Sequence, residues 1–365
     1  MAIVFFDNNA GYPDESPMIA TRSAYTCLDN THLTTSGPGF KYLRTVGSGS
    51  GFLSFPINFA SSATEIYMNF GHQVQTNSAS PTEMYVFRNN SDVDVLRLRH
   101  YQNGRFLLYP GGGFNDGAQY HYNRWTNFAV KAVPNSDPLV SEAEVYQQGM
   151  KIIDWRPGMR SLYGGGNMPP TELYLNTGSN NVNHYTVNML VYDNTGNYNN
   201  TFSLRAREGI TLSPTGSASS TTSQWTPGST SSTNWELAGL IPYSTSSWVE
   251  TDSESTGVFD SYTWEALSTS LSYGAIDGLQ LQVAFLQLNG PPVNAIELFI
   301  TSTAGEDSYY SGWAFNGLTQ PKWLKLTTEK ISGSTSLWTP ATIANVTAGF
   351  RVVPPSTAHE VSFTT

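Results

Sequence analysis

The clearest β-strand pattern in this 365-residue chain lies between Trp125 and Asp193. From Phe128 onward, apolar residues occupy every second position, which puts them on one face of a strand. A short turn that ends at Gly149 then separates two strand-like runs, as in a β-hairpin. The strands predicted in this stretch cover residues 125–133, 141–146, 150–155, 172–178 and 187–193. These five strands have no helix between them. Such strands bury their apolar faces when one sheet packs on another, as in a β-sandwich.

The residues before this stretch continue the same pattern. In the run Asp94–His100, the two leucines point one way while Arg97 and Arg99 point the other. The Asn-Gly pair that follows is the strongest local signal for a hairpin turn. About ten strands and no amphipathic helix are predicted between residues 1 and 200, which is the inventory of a two-sheet jelly roll.

Composition supports an all-β protein with a polar, weakly charged surface. Charged residues make up 13% of the chain, about half the average of ~25%, and aromatic residues also reach 13%. That aromatic content can bury a core against the entropy of ordering the chain. The net charge is −10 without a Lys/Arg cluster, so nucleic acid is not expected as a partner. The single cysteine, Cys27, excludes an internal disulfide framework and a thiolate metal site.

The sequence shows no pattern typical of a secretory signal or a membrane span. Residues 1–7 lack a basic region, and their apolar run is too short for a signal peptide. No stretch approaches the ~20 apolar residues of a membrane helix. We therefore expect synthesis in a cytoplasm without export, and no insertion into a membrane.

The composition changes after the first predicted domain, residues 1–203. The Ser/Thr/Pro-rich residues 204–235 are predicted to connect it to a second domain. Strand patterns then return, with near-perfect alternation in residues 278–286, so residues 236–365 are predicted to form a second β-sandwich. A short helix is expected in residues 340–346. The predicted fold class is all-β, with two β-sandwich (jelly-roll) domains in tandem.

Three segments of the first predicted domain resemble the second half of a concanavalin A-like, or laminin-G-like, jelly roll. They are the turn and strand from Gly149 to Asp154, the Leu-x-Leu strand from Leu173 to Gly178, and the strand from Leu190 to Asp193. The resemblance covers roughly half of the chain. It implies a lectin- or glucanase-like sandwich for residues 1–203.

A second set of segments resembles predicted virion proteins of tailed bacteriophages. The segments are Asp193–Asn200, Arg207, Gln224–Pro227, Asn234–Trp235, Asp260–Trp264, Leu337–Ala341 and Ala348–Val352. The resemblance implies a structural protein on the exterior of a phage particle, in the tail or fibre apparatus or as a capsid decoration. The partners implied are other virion proteins and copies of this chain in a homo-oligomer. A virion location also reconciles the missing export signal with the polar surface.

No cofactor is expected, and calcium is the one ion with a supporting pattern. Oxygen-rich turns occur at residues 7–9, 92–94 and 115–116, but none has the spacing of a dedicated calcium loop. Asn-Met stands at 188–189, where the resemblance leads us to expect an acidic pair, and this weakens the case for a bound cation. The six histidines show no metal-ligand spacing.

The acidic residues argue against an enzyme. Retaining hydrolases of the concanavalin A-like fold carry Glu-x-Asp-x-x-Glu, and the nearest match here is Glu142-x-Glu144, with Gln147 in the third place. No Gly-x-Ser-x-Gly elbow is found either. We therefore expect no catalytic residue and no enzymatic activity.

One outer face of the first domain is the predicted binding site. If Val145, Leu173 and Leu175 face the core, the residues beside them face outward. The predicted site consists of Arg97, Arg99, Glu144, Tyr146, Glu172 and Tyr174. Arg and Tyr are enriched at protein interfaces, which favours contact with a neighbouring subunit. The alternative is a glycan-binding lectin that recognises a host receptor, because tyrosines beside carboxylates suit sugar on a host surface.

Overall fold

The computed structural model describes residues 3–7, 26–27, 33–35, 43–46, 52–57, 59–60, 62–74, 82–88, 94–100, 106–109, 113–114, 124–133, 142–155, 172–176, 183–205, 209–218, 225–228, 233–238, 248–251, 257–267, 275–285, 295–310 and 322–353. They belong to two compact units, and the division falls between Gly209 and Ile210. Within the described residues, no helix has the length and apolar character needed to cross a bilayer.

The first unit is built from antiparallel strands. They are β1 (Ile3–Asp7), β2 (Thr26–Cys27), β3 (Leu33–Thr35), β4 (Leu43–Val46), β5 (Phe52–Pro56), β6 (Ile66–Val74), β7 (Thr82–Arg88), β8 (Asp94–His100), β9 (Phe106–Tyr109), β10 (Gly113–Phe114), β11 (Thr126–Val133), β12 (Glu142–Gln147), β13 (Met150–Trp155), β14 (Glu172–Asn176) and β15 (Asn183–Asp193). Sheet A has the order β13-β12-β11-β6-β15-β4-β3, with β1 also paired to β15. Sheet B has the order β10-β9-β8-β7-β14-β5-β2.

The two sheets pack face to face, because alternate residues of their strands are apolar. Tyr85 of sheet B lies across from sheet A, with its ring centroid 4.2 Å from that of Phe70. Its hydroxyl is 3.3 Å from the Thr186 hydroxyl of β15. Phe128 of β11 stacks on Phe70 at 5.3 Å and closes the same core. These residues are buried in the middle of a β-sandwich.

The second unit contains short strands and two single-turn helices. They are β16 (Pro214–Ser217), β17 (Thr226–Pro227), α1 (Asn234–Ala238), β18 (Val249–Glu250), β19 (Phe259–Trp264), β20 (Leu279–Phe285), β21 (Ala295–Ser302), β22 (Gly305–Tyr310), β23 (Lys322–Thr328), α2 (Pro340–Ile343) and β24 (Thr347–Val353). Sheet C has the order β16-β19-β24-β21-β22, β20 pairs with β23, and β17 pairs with β18. Phe285 of β20 packs edge-on against Phe350 of β24, with ring centroids 5.1 Å apart, so these layers share one core.

A buried polar network ties α1 to sheet C. The Asp260 side chain, 1% exposed, accepts hydrogen bonds from the Asn234 amide at 2.7 Å and the Tyr262 hydroxyl at 2.8 Å. The same Asn234 amide donates to the Trp225 carbonyl at 2.7 Å. The Trp225 ring packs on Phe350 at 4.9 Å. These donors satisfy a carboxylate that would otherwise be costly to bury.

The all-β, β-sandwich fold that the sequence predicts is confirmed. The predicted helix within residues 340–346 is also present, as α2, where Thr339 caps the first turn. Two features differ in detail from the expectation. Residues 214–217, in the segment predicted to connect two domains, form β16 and pair with β19 in sheet C. Helix α1 was not predicted, because five residues carry too little periodicity to indicate a helix.

His100 makes the stability of the first unit dependent on pH. The side chain is fully buried, and burial lowers its pKa to about 4, whereas in the unfolded chain the pKa is ~6.5. As pH falls through ~6.5, His100 becomes protonated in the unfolded state. In the folded state it stays neutral until about pH 4. Between these values we expect the free energy of unfolding to fall by about 2 to 3 kcal/mol.

The measurement is urea unfolding of wild type and His100→Leu at pH 7.5 and pH 4.5. Carboxylates titrate in both proteins, so the difference between the two pH dependences reports His100. An equal loss of stability in wild type and His100→Leu would contradict the prediction.

Candidate functional site

Sheet A carries polar and aromatic side chains on the face away from sheet B. Burial alternates along β12, where Val145 is buried and its neighbours Glu144 and Tyr146 are half-buried. In the register with β11, Tyr146 lies opposite Ala129 and Glu144 lies opposite Lys131. Because side chains alternate along paired strands, these residues share the outer face of the sheet.

Glu144 is held in the ionised form by two neighbours on this face. The Tyr146 hydroxyl donates to it at 2.8 Å, and the Lys151 ammonium group lies 2.6 Å away. Partial burial works to raise the pKa of Glu144, but the hydrogen bonds from Lys151 and Tyr146 outweigh it and the net pKa is lowered. A carboxylate of this kind is a poor general acid near neutral pH.

A second cluster of the same composition lies two strands away. The Tyr67 hydroxyl of β6 donates to Glu65 at 2.6 Å, and Lys131 of β11 is 3.1 Å from the same carboxylate. Burial and the neighbouring Glu65 raise the pKa of Tyr67 well above its ordinary value. Glu65 and Glu144 are therefore each paired with a lysine.

Between the two tyrosines lies a segment that we call the strap, residues 200–205. Its Phe202 ring has its centroid 5.7 Å from that of Tyr67 and 5.3 Å from that of Tyr146. The Tyr67 ring also contacts Tyr192 at 4.9 Å, and Leu190 completes a small buried cluster. The strap thus covers a hydrophobic patch on the outside of sheet A.

Hydrogen bonds to the Ser203 backbone fix the strap on the sheet. The Ser203 N–H donates to the Tyr192 hydroxyl at 3.2 Å. The Ser203 carbonyl accepts from the Asn69 side-chain amide at 3.0 Å. Further along, the Gly209 N–H donates to the Asn188 side chain at 3.1 Å, and Asn188 has a positive φ of 51° at an irregularity in β15.

A cleft of about 240 Å³, the strap cleft, lies where the strap meets β6, β11 and the β12–β13 hairpin. The residues that line it are Asn69, Phe70, Asn127, Phe128, Ala129, Gln148, Gly149, Leu204 and Arg205. Gln148 and Gly149 form the hairpin turn, and both have positive φ, as a type I′ turn requires. The turn puts an exposed Gln148 side chain at the margin of the cleft.

The strap cleft contains an unsatisfied acceptor. Asn69 is 3% exposed, and its side-chain carbonyl oxygen is buried without a hydrogen-bond partner in the protein. Leaving such a group unpaired costs on the order of 1–3 kcal/mol. Asn69 lines the strap cleft, and a ligand whose entry displaces the groups covering this oxygen recovers the energy by donating a hydrogen bond to it. The cleft is therefore the candidate functional site.

The residues predicted to form one binding face lie on two different sheets. Glu144 and Tyr146 are on the outer face of sheet A, beside the strap. Arg97 and Arg99 are in β8 of sheet B, and the segment Glu172–Asn176 is β14 of sheet B. In the backbone register Tyr174 lies opposite Val86, which lies opposite Arg97. The predicted residues therefore form two groups, one on each sheet. The prediction of a single face was wrong because strands with similar sequence patterns belong to different sheets.

Sequence reasoning missed the residues of the strap cleft. Asn69, Asn127, Gln148 and Arg205 come from separate parts of the chain and share no motif. The one available signal was the Gln-Gly pair at the hairpin turn, since its position predicts an exposed amide beside the sheet.

Among the residues that the structure describes, no group of three or more His, Cys, Asp or Glu side chains could hold a metal ion. Residues 8–9, 92 and 115–116, which belong to the turns considered for calcium, lie outside the described residues. Calcium binding at those turns stays a prediction.

No protein-family model and no curated protein matches the chain. Among solved structures, a sialidase is similar at 12% identity, with 50% of this chain and 18% of the sialidase covered and a TM-score of 0.36. A mutant of alginate lyase Aly36B in complex with alginate trisaccharide is 10% identical, with 53% and 98% covered and a TM-score of 0.41. Botulinum neurotoxin type C, whose cell entry depends on two ganglioside molecules, is 13% identical, with 53% and 47% covered and a TM-score of 0.35. These similarities concern the β-sandwich fold alone.

The expectation that the chain is not an enzyme is contradicted by these comparisons, because sialidases and alginate lyases are enzymes. The expectation rested on a missing carboxylate motif. That motif belongs to one chemistry, retaining glycoside hydrolysis, whereas other enzymes use histidine, tyrosine or lysine for proton transfer. The missing motif therefore did not exclude catalysis.

Phe202 is expected to hold the strap on sheet A. Phe202→Ala removes a partly buried ring, and we expect a loss of about 1–3 kcal/mol in the free energy of unfolding, less than for a fully buried phenylalanine. Hydrogen exchange of the strap amides is expected to speed up in the same variant. Leu204→Ala is the matched control, because Leu204 is 45% exposed and its loss changes stability by about 0.5 kcal/mol or less. Equal effects of the two substitutions would show that the ring contacts do not fix the strap.

Proposed function

We propose that the first unit binds carbohydrate in the strap cleft. The observation that carries the proposal is the buried, unpartnered Asn69 oxygen in a cleft lined with amides. Sugar hydroxyls both donate and accept hydrogen bonds, so one ring can donate to Asn69 and accept from Asn127 and Gln148. Amides that fix a ligand's orientation beside an apolar wall, here Ala129 and Leu204, are typical of small-ligand sites.

The size of the cleft sets the length of glycan that it encloses. About 240 Å³ is below the ~300–1,000 Å³ of sites for drug-sized ligands. We expect one sugar residue to enter the cleft while the neighbouring residues of the glycan lie along the outer face of sheet A. The half-buried Tyr146 is on that face and offers a surface for a sugar ring.

We also propose that the chain is a component of the exterior of a bacteriophage particle, in the tail or fibre apparatus or on the capsid surface, where it binds host glycan. Support comes from the segments that resemble phage virion proteins. Four segments of that resemblance contact one another in the second unit, through Trp225, Asn234, Asp260, Tyr262 and Phe350. The resemblance therefore involves residues of a packed core rather than unrelated loops.

Glycan-array binding tests the carbohydrate proposal. The double variant Asn127→Ala/Gln148→Gly removes two exposed amides and keeps the turn, since glycine accepts the positive φ of residue 148. Each lost hydrogen bond weakens binding by about 0.5–1.5 kcal/mol, so we expect about a ten-fold loss of affinity for the glycans that bind wild type. Glu142→Gln, on the same sheet but outside the cleft, is the control. An array without a bound glycan, or equal binding by the double variant, would overturn the proposal.

Labelling of intact particles tests the virion proposal. Antibodies raised against the chain, seen by electron microscopy on particles of a tailed phage that encodes it, are expected to decorate the tail, the fibres or the capsid surface. Mass spectrometry of purified particles is expected to find the chain at a copy number that matches the symmetry of that location. Absence of the chain from purified particles would contradict the virion proposal without affecting the glycan experiment.

A further inference from the structure

We infer that the strap cleft selects acidic sugars, and that the Arg205 guanidinium binds the sugar carboxylate. The inference rests on the proposed carbohydrate binding and adds the charge of the ligand. It follows from the charges around the cleft, the attachment of the strap and the chemistry of a guanidinium group.

Among the described residues that line the strap cleft, one side chain is cationic and none is acidic. Arg205 is the charged member of its lining, alongside the amides of Asn69, Asn127 and Gln148. Arg205 is exposed, and no ion pair found among the described residues includes it. A ligand in the cleft therefore meets a positive charge that is not already neutralised by a carboxylate of this face.

The two lysines described on the same face, unlike Arg205, form ion pairs with glutamates. Lys131 is 3.1 Å from Glu65, and Lys151 is 2.6 Å from Glu144. Each of these pairs presents little net charge to a ligand. Compared with these two lysines, Arg205 is thus the cation better suited to an anionic group.

The attachment of the strap puts Arg205 near the unsatisfied oxygen of Asn69. The Asn69 amide holds the Ser203 carbonyl at 3.0 Å, and the Arg205 N–H donates to the Ser203 hydroxyl at 3.3 Å. Two residues of chain span at most ~7 Å, so the backbone of residue 205 stays close to Asn69. We therefore expect one sugar residue to donate a hydroxyl to Asn69 and to offer a carboxylate to Arg205.

The chemistry of the two groups favours a carboxylate-bearing sugar over a neutral one. A guanidinium group donates two parallel hydrogen bonds to a carboxylate, and such charge-assisted bonds are stronger than those between neutral groups. The chain as a whole has a net charge of −10, which repels anionic glycans at long range. Selection of an acidic sugar must then come from the local cation, and we expect added salt to weaken it.

The test uses the 365-residue chain and matched pairs of oligosaccharides in a calorimetric titration. The acidic probes are hexuronic acid trisaccharides and a sialylated trisaccharide, and the neutral probes are their methyl esters. We expect wild type to bind at least one acid about ten-fold more tightly than its ester. Arg205→Gln is expected to reduce affinity for that acid to the level of the ester, with affinity for the ester unchanged. Arg205→Lys is expected to keep part of the preference.

Arg124→Gln is the control, because it changes the net charge equally at an exposed arginine that does not line the cleft. Equal affinity of wild type for acid and ester, or an unchanged preference in Arg205→Gln, would overturn the inference and leave carbohydrate binding in place. A sulfated trisaccharide that binds while every carboxylate behaves like its ester would also overturn it. If no probe binds and the glycan array is empty, the proposed function fails and the inference fails with it.

Discussion

The hydrogen bond from the Asn69 amide to the Ser203 carbonyl is the interaction on which the candidate site depends. The side-chain N–H of Asn69, on the outside of sheet A, holds the strap by this bond. The side-chain oxygen of the same residue is buried and unpaired. The strap in turn encloses the hydrophobic cluster of Tyr67, Leu190 and Tyr192 and brings Leu204 and Arg205 to the cleft. One asparagine thus connects the packing of the strap with the chemistry of the site.

The sequence was sufficient to predict the strands but not their partners. Alternation in β12 correctly separates Val145 from Glu144 and Tyr146, because burial follows the period of two along a strand. The same alternation in β8 cannot reveal that Arg97 and Arg99 belong to the other sheet. Sheet membership is decided by pairings between distant segments, and the strap cleft combines side chains from four such segments. No local sequence pattern indicates the sheet to which a strand belongs or the set of residues that line the cleft.

The second unit shows why the requirements of a fold can fall on scattered single positions of the sequence. Asp260 is buried in a core and requires hydrogen-bond donors, which Asn234 and Tyr262 supply. Phe350 must be aromatic or similarly large to fill the space between Trp225 and Phe285. Gly349 has no room for a side chain, since an added Cβ would lie 2.0 Å from the Asp260 carbonyl oxygen. Restrictions of this kind act on single positions and leave the residues between them free to vary.

The long strand β15 has a consequence for how the protein is made. Residues 3–7 of β1 pair with residues 189–192 of β15, and β15 also supplies the partner for β4 and β6. During synthesis, β1 cannot pair with β15 until more than about 180 further residues have been made. At ~5–20 residues per second this takes on the order of ten seconds or more. From the synthesis of β6 until β15 is complete, the edge of β6 that pairs with β15 is exposed, and a chain in this state is prone to aggregate. Rapid production of the protein therefore favours aggregation unless chaperones protect sheet A until β15 arrives.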